Sequence, residues 1–339
     1  MDYRTWRHQL IQEAAKQRIP ILGEFELTAR CNLACEMCYV KDTASNKEKT
    51  SQEWKELFFE CAKQGMMFAL LTGGEILMRK DFIELYEYLF DLGVRITLFT
   101  NGTLMTQEVI DAFVKRKPDF IAITLYGSNN QTYQQITKNH KGFDMVHQSI
   151  QLLKNNNIPV MLRTIPIRPI VDEMDELISY AKHQELPLGY ALYVGPTRDL
   201  CHKELGLRLK PLELIEFERK MRVNYGLEPE PDFLESSSNT TCAALKSGFY
   251  IDYRFHMMPC AMLNHPKKIV SPQTFIQTFH ELGDIFTSLN HCNDCSTCDS
   301  KSSCIQCYAR RFLEGDAHTC HPYLKAIAKL RKGDHHETN

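Results

Sequence analysis

The sequence carries almost no excess of charge of either sign. Its 40 lysines and arginines and its 42 aspartates and glutamates give a formal net charge of −2, and no stretch concentrates basic residues. Such a balance argues against a surface built for nucleic acid or for acidic membranes. Low-complexity segments are lacking too.

Long apolar runs and export signals are also missing. A run such as Met66–Leu71 has the length of a strand, not of a membrane span. Met1–Pro20 mixes charged with apolar residues and has no small-residue cleavage site, so it is not typical of a signal peptide. We therefore expect a cytoplasmic protein that binds neither nucleic acid nor a membrane.

Cysteine, in contrast, is abundant, with 13 in the chain. In a reducing compartment, clustered cysteines are more typical of metal ligands than of disulfides. Cys31, Cys35 and Cys38 form one group, and eight more lie in the C-terminal third. Cys61 lies on the apolar face of a predicted helix and is expected to be a buried thiol. Cys201 is expected to be an incidental loop cysteine.

Short apolar strands alternate with amphipathic helices from about residue 22 to residue 194, which predicts an α/β protein with a parallel sheet and helices outside it. The first helical pattern begins with a capping box of Thr50 and Glu53. A full eight-fold barrel usually needs more chain, so we expect a partial (β/α)6 TIM-like barrel. Its strand candidates are Gly23–Thr28, Met67–Leu71, Val94–Phe99, Phe120–Leu125, Val160–Ile165 and Tyr190–Val194.

The expected domain limits follow changes in composition. Residues 1–204 would form the barrel with a short N-terminal extension, and residues 205–240 a connector that ends in the polar run 235–239. The region after it is poor in regular periodicity and rich in cysteine, which predicts that metal rather than a hydrophobic core organises it. We expect a small cysteine-rich domain over residues 241–325, then a helix end and a fraying tail over 326–339.

The first cysteine group has the spacing Cys31-x3-Cys35-x2-Cys38 and directly follows the first predicted strand. Three thiolates in a short loop can hold three irons of a cubane cluster, because soft sulfur ligands favour iron–sulfur centres. The fourth iron would keep an open coordination position. A zinc loop is the alternative for the triple taken alone. The spacing, with Tyr39 after the third cysteine, resembles the radical SAM superfamily. The resemblance implies a [4Fe–4S] cluster that binds S-adenosylmethionine (SAM) and cleaves it reductively to a 5′-deoxyadenosyl radical.

Thr72-Gly73-Gly74-Glu75 follows the second predicted strand. It resembles the family's Gly-Gly-Glu-Pro motif, with Ile76 in place of the proline. Backbone without Cβ can approach a ligand closely, and carbonyls and a carboxylate can accept hydrogen bonds from the SAM amine. A tight turn between strand and helix is the alternative, which would explain the glycines but not the carboxylate.

Three further residues complete the SAM contacts that the resemblance implies. Asn101, after the third strand, would bond the ribose hydroxyls. Thr124 begins a Thr-Leu-Tyr-Gly segment similar to the family's Ser-Leu-x-Gly, and would contact the nucleoside or the carboxylate. Arg163, near the end of the fifth strand, is a candidate for the carboxylate. All fall at C-terminal strand ends, the face on which barrel enzymes keep their sites.

The C-terminal cysteines have the spacing Cys295-x2-Cys298-x5-Cys304-x2-Cys307. With Cys320 after it and two cysteines before it, the run resembles the SPASM domain, which carries two auxiliary [4Fe–4S] clusters. The family usually has three residues, not two, between the last two cysteines of the run, and a glycine where Phe255 stands. Taken in isolation, paired C-x2-C motifs also fit a zinc ribbon.

The resemblance implies two sets of ligands. The outer cluster would be held by Cys295, Cys298, Cys304 and Cys320, and three ligands of the inner cluster would be Cys242, Cys260 and Cys307. Cys292 makes eight cysteines in the domain, the number that two fully ligated cubanes need. We expect Cys292 to close the inner cluster; the alternative leaves it free and one inner iron open.

Enzymes with this two-part layout mostly modify peptides or proteins by abstracting hydrogen from an unreactive carbon. The resemblance therefore implies an oxidoreductase that matures a ribosomally synthesised peptide (RiPP) by a crosslink or a related side-chain modification. A sulfatase-maturase-like enzyme and a radical enzyme of small-molecule cofactor biosynthesis are alternatives. A metal-stabilised binding or electron-transfer protein is the non-enzyme alternative.

The expected partners are the peptide or protein substrate and an electron donor such as flavodoxin or ferredoxin. Only about twenty residues precede the first predicted strand, too few for a leader-binding domain. A separate leader-peptide-binding protein, or none, is therefore expected.

Overall fold

One nine-stranded sheet runs through the computed structural model, which describes residues 3–40, 48–191, 193–200, 205–225 and 242–337. In chain order the strands are β1 (Leu22–Glu26), β2 (Phe68–Thr72), β3 (Arg95–Thr100), β4 (Phe120–Thr124), β5 (Val160–Thr164), β6 (Leu188–Tyr190), β7 (Gly248–Ile251), β8 (His256–Met258) and β9 (Lys268–Ile269). Their order in the sheet is β6-β5-β4-β3-β2-β1-β7-β8-β9. All neighbours from β6 to β7 pair in parallel, and β8 and β9 add antiparallel pairs.

Helices connect the parallel strands and cover the outer face of the sheet. They are α1 (Tyr3–Gln17), α2 (Ser51–Lys63), α3 (Phe82–Asp91), α4 (Gln107–Lys115), α5 (Asn130–Thr137), α6 (Gly142–Asn155), α7 (Arg168–Asp172), α8 (Met174–His183), α9 (Pro211–Tyr225), α10 (Phe275–Leu289), α11 (Tyr308–Glu314) and α12 (Pro322–Glu337). None of these described helices is both long and apolar enough to span a bilayer.

The six parallel strands β1 to β6 with their intervening helices confirm the predicted partial (β/α)6 barrel fold. The capping box of α2 forms as expected, with Glu53 N donating to the Thr50 hydroxyl at 3.2 Å and Thr50 N donating to the Glu53 carboxylate at 2.9 Å. Cys61 is buried on the inner face of α2, as predicted. The sequence patterns did not predict helices α1, α5, α7, α10 and α11, and β6 begins earlier and is shorter than expected. Cys201 and the polar run 235–239 lie outside the described residues.

The expectation that metal rather than a hydrophobic core organises the C-terminal region is wrong. Strand β7 pairs in parallel with β1, and α10 packs its apolar face on β7. The rings of Phe275 and Phe279 lie 5.0 and 6.3 Å from that of Phe249, and all three are buried. The sheet and its core thus continue across the expected limit between residues 240 and 241.

Strand β1 presents two different faces. The Phe25 ring packs edge-on against Trp54 and Phe58 of α2, so this side of the strand faces the helices. Because side chains alternate along a strand, Glu24 and Glu26 point to the opposite face, into the barrel. The barrel interior therefore receives two carboxylates from the strand that leads into the first cysteine group.

Candidate active site and thiol clusters

The loop between β1 and α2 holds the first three cysteines at the C-terminal end of the strands. Within the loop, Cys38 N donates a hydrogen bond to Cys35 O at 3.3 Å and forms a turn. Ala34 N donates to Thr137 O of α5 at 3.0 Å and holds the loop against the barrel. Cys31 is exposed, whereas Cys35 and Cys38 are half-buried. The loop is therefore anchored on the barrel rim.

The three thiols are close enough for their charges to interact. The pKa of Cys35 is raised to about 12. Burial is the main cause, the charges of Cys38 and Cys31 contribute to the rise, and a hydrogen bond with Tyr126 opposes it. Burial also raises the pKa of Cys31. Grouped thiols of this kind become thiolates when a cation binds and compensates their charge. The donor set thus fits the three-thiolate side of an iron–sulfur cluster.

Gly73 and Gly74 let the loop after β2 pack on the base of the cysteine loop. A Cβ on Gly74 would lie 2.4 Å from Arg30 O, and one on Gly73 would lie 2.7 Å from Thr28 O. Hydrogen bonds fix the contact, with Gly74 N donating to Thr28 O at 2.7 Å. The close approach predicted from these glycines is therefore made to the cysteine loop itself.

Glu75 is directed inward rather than towards an open face. Its carboxylate is fully buried and accepts hydrogen bonds from the Thr100 hydroxyl at 2.7 Å and from Asn101 N at 2.7 Å. A third comes from Leu77 N at 3.1 Å. Burial raises the pKa of Glu75. The expectation that this carboxylate accepts from the SAM amine does not match the geometry, in which Glu75 joins the ends of β2 and β3.

Asn101 belongs to a network that reaches the first cysteine. Its side-chain amide donates to Asn32 Oδ1 at 2.9 Å and approaches Cys31 Sγ at 3.8 Å. Asn101 Oδ1 accepts from the Thr103 hydroxyl at 2.7 Å, and Asn32 donates to that hydroxyl at 2.8 Å. Sequence reasoning missed Asn32 and Thr103. The only available signal was the position of Asn32 directly after Cys31.

The remaining predicted SAM contacts lie on neighbouring strands. Thr124 and Arg163 are register partners at the ends of β4 and β5, and the Arg163 guanidinium lies 4.5 Å from the centre of the Phe99 ring. Tyr39 follows the third cysteine, and its side chain is exposed. The barrel topology thus brings these residues to the rim and the interior beside the cysteine loop.

The barrel interior also contains a buried ionic cluster that the sequence did not indicate. Arg198 binds both oxygens of Glu26, and the Tyr250 hydroxyl contacts the same carboxylate. Glu24 lies next along this face, where burial raises its pKa to about 7 and the charge of Arg163 opposes the rise. The interior is therefore polar close to the cysteine loop.

The C-terminal thiols fall into two sets. In the first, Cys242 and Cys260 are both close enough to Cys307 for the charges to interact; burial is the main cause of their raised pKa values, and the Cys307 charge adds to it. The charge of Glu24, which lies across the β1–β7 pair, also raises the pKa values of Cys242 and Cys260 in this inner set. It thus lies beside the barrel interior.

The second set contains Cys292 in addition to the four cysteines expected there. Burial raises the pKa of Cys295 to about 12, and a hydrogen bond with Cys292 contributes. The segment of Cys292 is held beside Cys320 by two hydrogen bonds, from Asn293 N to His318 O at 2.8 Å and from Cys320 N to Asp294 at 2.7 Å. This pairing places Cys292 beside the outer set, and the expectation that it closes the inner cluster stays a prediction.

A small cavity of about 40 Å³ lies between the end of the barrel and the outer set. Four cysteines line it: Cys295, Cys304, Cys307 and Cys320. Among the described residues, no three His, Cys, Asp or Glu side chains surround one point closely enough to hold a single metal ion. The thiolates of a cubane bind separate irons and need not converge on one point. The thiols that line this space therefore provide the donor chemistry that an iron–sulfur cluster needs.

Comparison with known proteins agrees with this site. Residues 25–181 match the model of the Radical SAM superfamily. Over these residues the chain is similar to a radical SAM domain, and the chain is an enzyme. The resemblance found in the first cysteine group is thereby confirmed.

The particular relatives span nearly the whole chain. The AdoMet-dependent heme synthase of Methanosarcina barkeri is 25% identical over 349 residues, covering 91% of this chain and 97% of that protein. The crystal structure of Streptococcus suis SuiB bound to precursor peptide SuiA has a TM-score of 0.72 at 13% identity and covers 95% of this chain and 81% of that one. The structure of anSMEcpe with bound AdoMet and Kp18Cys peptide has a TM-score of 0.73 at 17% identity, with 94% and 99% covered.

Proposed function

We propose that this radical SAM enzyme abstracts hydrogen from a peptide or protein substrate and has two auxiliary clusters in a SPASM-type C-terminal region. The observation that carries the proposal is the arrangement of three separate thiol groups around one polar barrel interior: one group on the rim, one beside Glu24 and one around the cavity. The C-terminal domain would begin near residue 241 and share the sheet of the barrel through β7.

In this proposal Cys31, Cys35 and Cys38 hold the cluster that binds SAM. When bound, that cluster and SAM supply a 5′-deoxyadenosyl radical. The chain's own contribution is to hold SAM at the strand ends, with Gly73 and Gly74 shaping the loop, Asn101 near Cys31, and Thr124, Arg163 and Tyr39 on the rim and interior. Glu75 acts indirectly, because its carboxylate fixes the backbone of Asn101.

The inner set would hold one auxiliary cluster with three thiolates, which leaves one iron open towards the barrel interior. The outer set would hold the second cluster with four of its five thiolates, drawn from Cys292, Cys295, Cys298, Cys304 and Cys320. Both would pass electrons between the barrel and a donor such as flavodoxin or ferredoxin.

A peptide substrate is supported by the two similar structures, each of which holds a bound peptide and has a fold that covers most of this chain. A separate leader-binding protein would then present the peptide. A second candidate is a porphyrin, favoured by the relative named as a heme synthase, which the alignment covers almost end to end.

SAM turnover tests the shared chemistry. The anaerobically reconstituted chain, reduced with dithionite, is expected to release 5′-deoxyadenosine from SAM. A chain that binds no iron, or that binds iron and leaves SAM intact, would contradict the proposal.

Deuterium transfer separates the two substrates. A short peptide encoded next to the chain's gene, deuterated at its side chains, should transfer deuterium to 5′-deoxyadenosine and change in mass. An iron porphyrin with deuterated carboxylate side chains is the matched probe. Transfer from the porphyrin alone would replace the peptide by the second candidate.

A further inference from the structure

Arg310 of α11 is a buried cation for which the described residues provide no ion-pair partner. Its side chain borders the thiol-lined cavity, and the residue is only 9% exposed. Within the described part of the chain, its Nε is buried without a hydrogen-bond acceptor, and no carboxylate lies within ion-pair distance of its guanidinium. The ring centre of Tyr193 lies 5.3 Å from the guanidinium.

The other three arginines of the same cavity wall are all satisfied. Arg208 pairs with Glu314 at 2.5 Å, and Arg331 pairs with Glu218 at 2.5 Å. Arg311 donates to Ala317 O at 2.5 Å. The wall is therefore built with acceptors for each cation except Arg310.

A guanidinium keeps its proton in proteins, so Arg310 remains a cation. A buried charge is costly unless it is paired, and this cost is the main reason why the pKa of Arg310 is lowered. The groups that oppose the lowering include Cys307 and Cys304. These two cysteines belong to the inner and the outer set. An anion between the two sets would therefore satisfy Arg310.

An iron–sulfur cube held by thiolates carries a net negative charge and sulfur atoms that accept hydrogen bonds, and both determine its reduction potential. We propose that Arg310 is the shared counter-ion and N–H donor of the two auxiliary clusters, placed between Cys304 and Cys307 to raise their reduction potentials. A nearby cation stabilises the more negative, reduced state. This inference rests on the proposed function, which supplies the clusters.

The test compares Arg310→Met with Arg310→Lys in the anaerobically reconstituted full chain. Potentials are followed by electron paramagnetic resonance during redox titration, and iron is counted. In Arg310→Met we expect a tenfold less favourable reduction of at least one auxiliary cluster, a downward shift of about 59 mV for one electron. In Arg310→Lys the reduction potentials should shift less, because lysine keeps the positive charge.

The double variant Glu218→Gln/Arg331→Met is the matched control. It removes a neutral pair from the same wall and should leave all potentials unchanged. Loss of auxiliary iron in Arg310→Met, with retention in Arg310→Lys, would also support the role. Unchanged potentials at full iron content in Arg310→Met, or equal shifts in both Arg310 variants, would overturn it. About four irons in the wild-type chain would instead refute the auxiliary clusters themselves.

Discussion

The guanidinium of Arg198 binds the two carboxylate oxygens of Glu26 at 2.8 and 3.0 Å inside the barrel. The side chains are 8% and 1% exposed, and the Tyr250 hydroxyl completes the group. Glu26 ends the first strand of the barrel, whereas Arg198 follows the last. The pair therefore ties the two ends of the barrel sequence together across the interior.

Arg198→Met is expected to lower the free energy of unfolding by about 3–5 kcal/mol, because it leaves Glu26 buried without its counter-charge. Urea unfolding of the anaerobic holoprotein measures the loss. Arg168→Met, which breaks an exposed pair with Glu213, should change it by less than about 1 kcal/mol. The double variant Glu26→Gln/Arg198→Met should recover most of the free energy lost in Arg198→Met. Equal losses in Arg198→Met and Arg168→Met would contradict the pairing argument.

Cys35→Ala is expected to abolish formation of 5′-deoxyadenosine, because two thiolates hold the cluster poorly. Product is measured by chromatography after anaerobic reconstitution. Cys61→Ala, at the buried thiol of α2, is the control and should keep activity. Wild-type yield from Cys35→Ala would refute the assignment of the first cysteine group.

Cys292→Ala should keep roughly twelve irons, since the outer set has four other thiols. Iron analysis and the resonance spectra of the inner cluster should match the wild type. Cys260→Ala is the contrast and should alter the inner spectra. An inner cluster that changes in Cys292→Ala would restore the role first expected from the sequence.

Asn32→Ala should reduce SAM cleavage about 10- to 100-fold, as is typical for partners that orient the groups around a metal site. The physical reason is that Asn32 holds the Asn101 amide that approaches Cys31. The affinity for SAM and the spectrum of the SAM-bound cluster are the readouts. Gln52→Ala, on the exposed side of α2 with a bond to Glu56, should leave both unchanged.

Glu24 should make stability depend on pH. Its folded pKa of about 7 lies above the ordinary value of 4.5 for a glutamate, so its favourable contribution is complete below about 4.5 and is lost as the pH rises through 7. Relative to that of the wild type, the free energy of unfolding of Glu24→Gln should therefore increase by on the order of 3 kcal/mol across this window. Urea unfolding of both proteins between about pH 4 and about 8.5 measures the difference. A difference that is constant with pH would show that Glu24 is not desolvated.

Local signals in the sequence were sufficient for the barrel. The capping box at Thr50 begins α2, and the loops with Cys31, Gly73 and Asn101 all follow strands, as predicted. Such features depend on neighbouring residues or on strand order, and both can be inferred from periodicity.

The features that the sequence did not reveal join distant segments. Cys292 lies three residues from Cys295. It could be placed only from the two bonds that join its segment to residues 318–320: Asn293 N donates to His318 O, and Cys320 N donates to the Asp294 side chain. Likewise, nothing local to Arg198 indicates that its partner is Glu26, 172 positions away. The inward direction of Glu75 also depends on the end of β3.

The pairing of β7 with β1 also determines when the barrel can be completed during synthesis. Strand β1 emerges first from the ribosome, but its second neighbour, Gly248–Ile251, is made after every other strand of the barrel. Until then one edge of β1 is unpaired, and open strand edges promote association between chains. The strand that leads into the first cysteine group is thus paired along both edges only after residues 248–251 have been made.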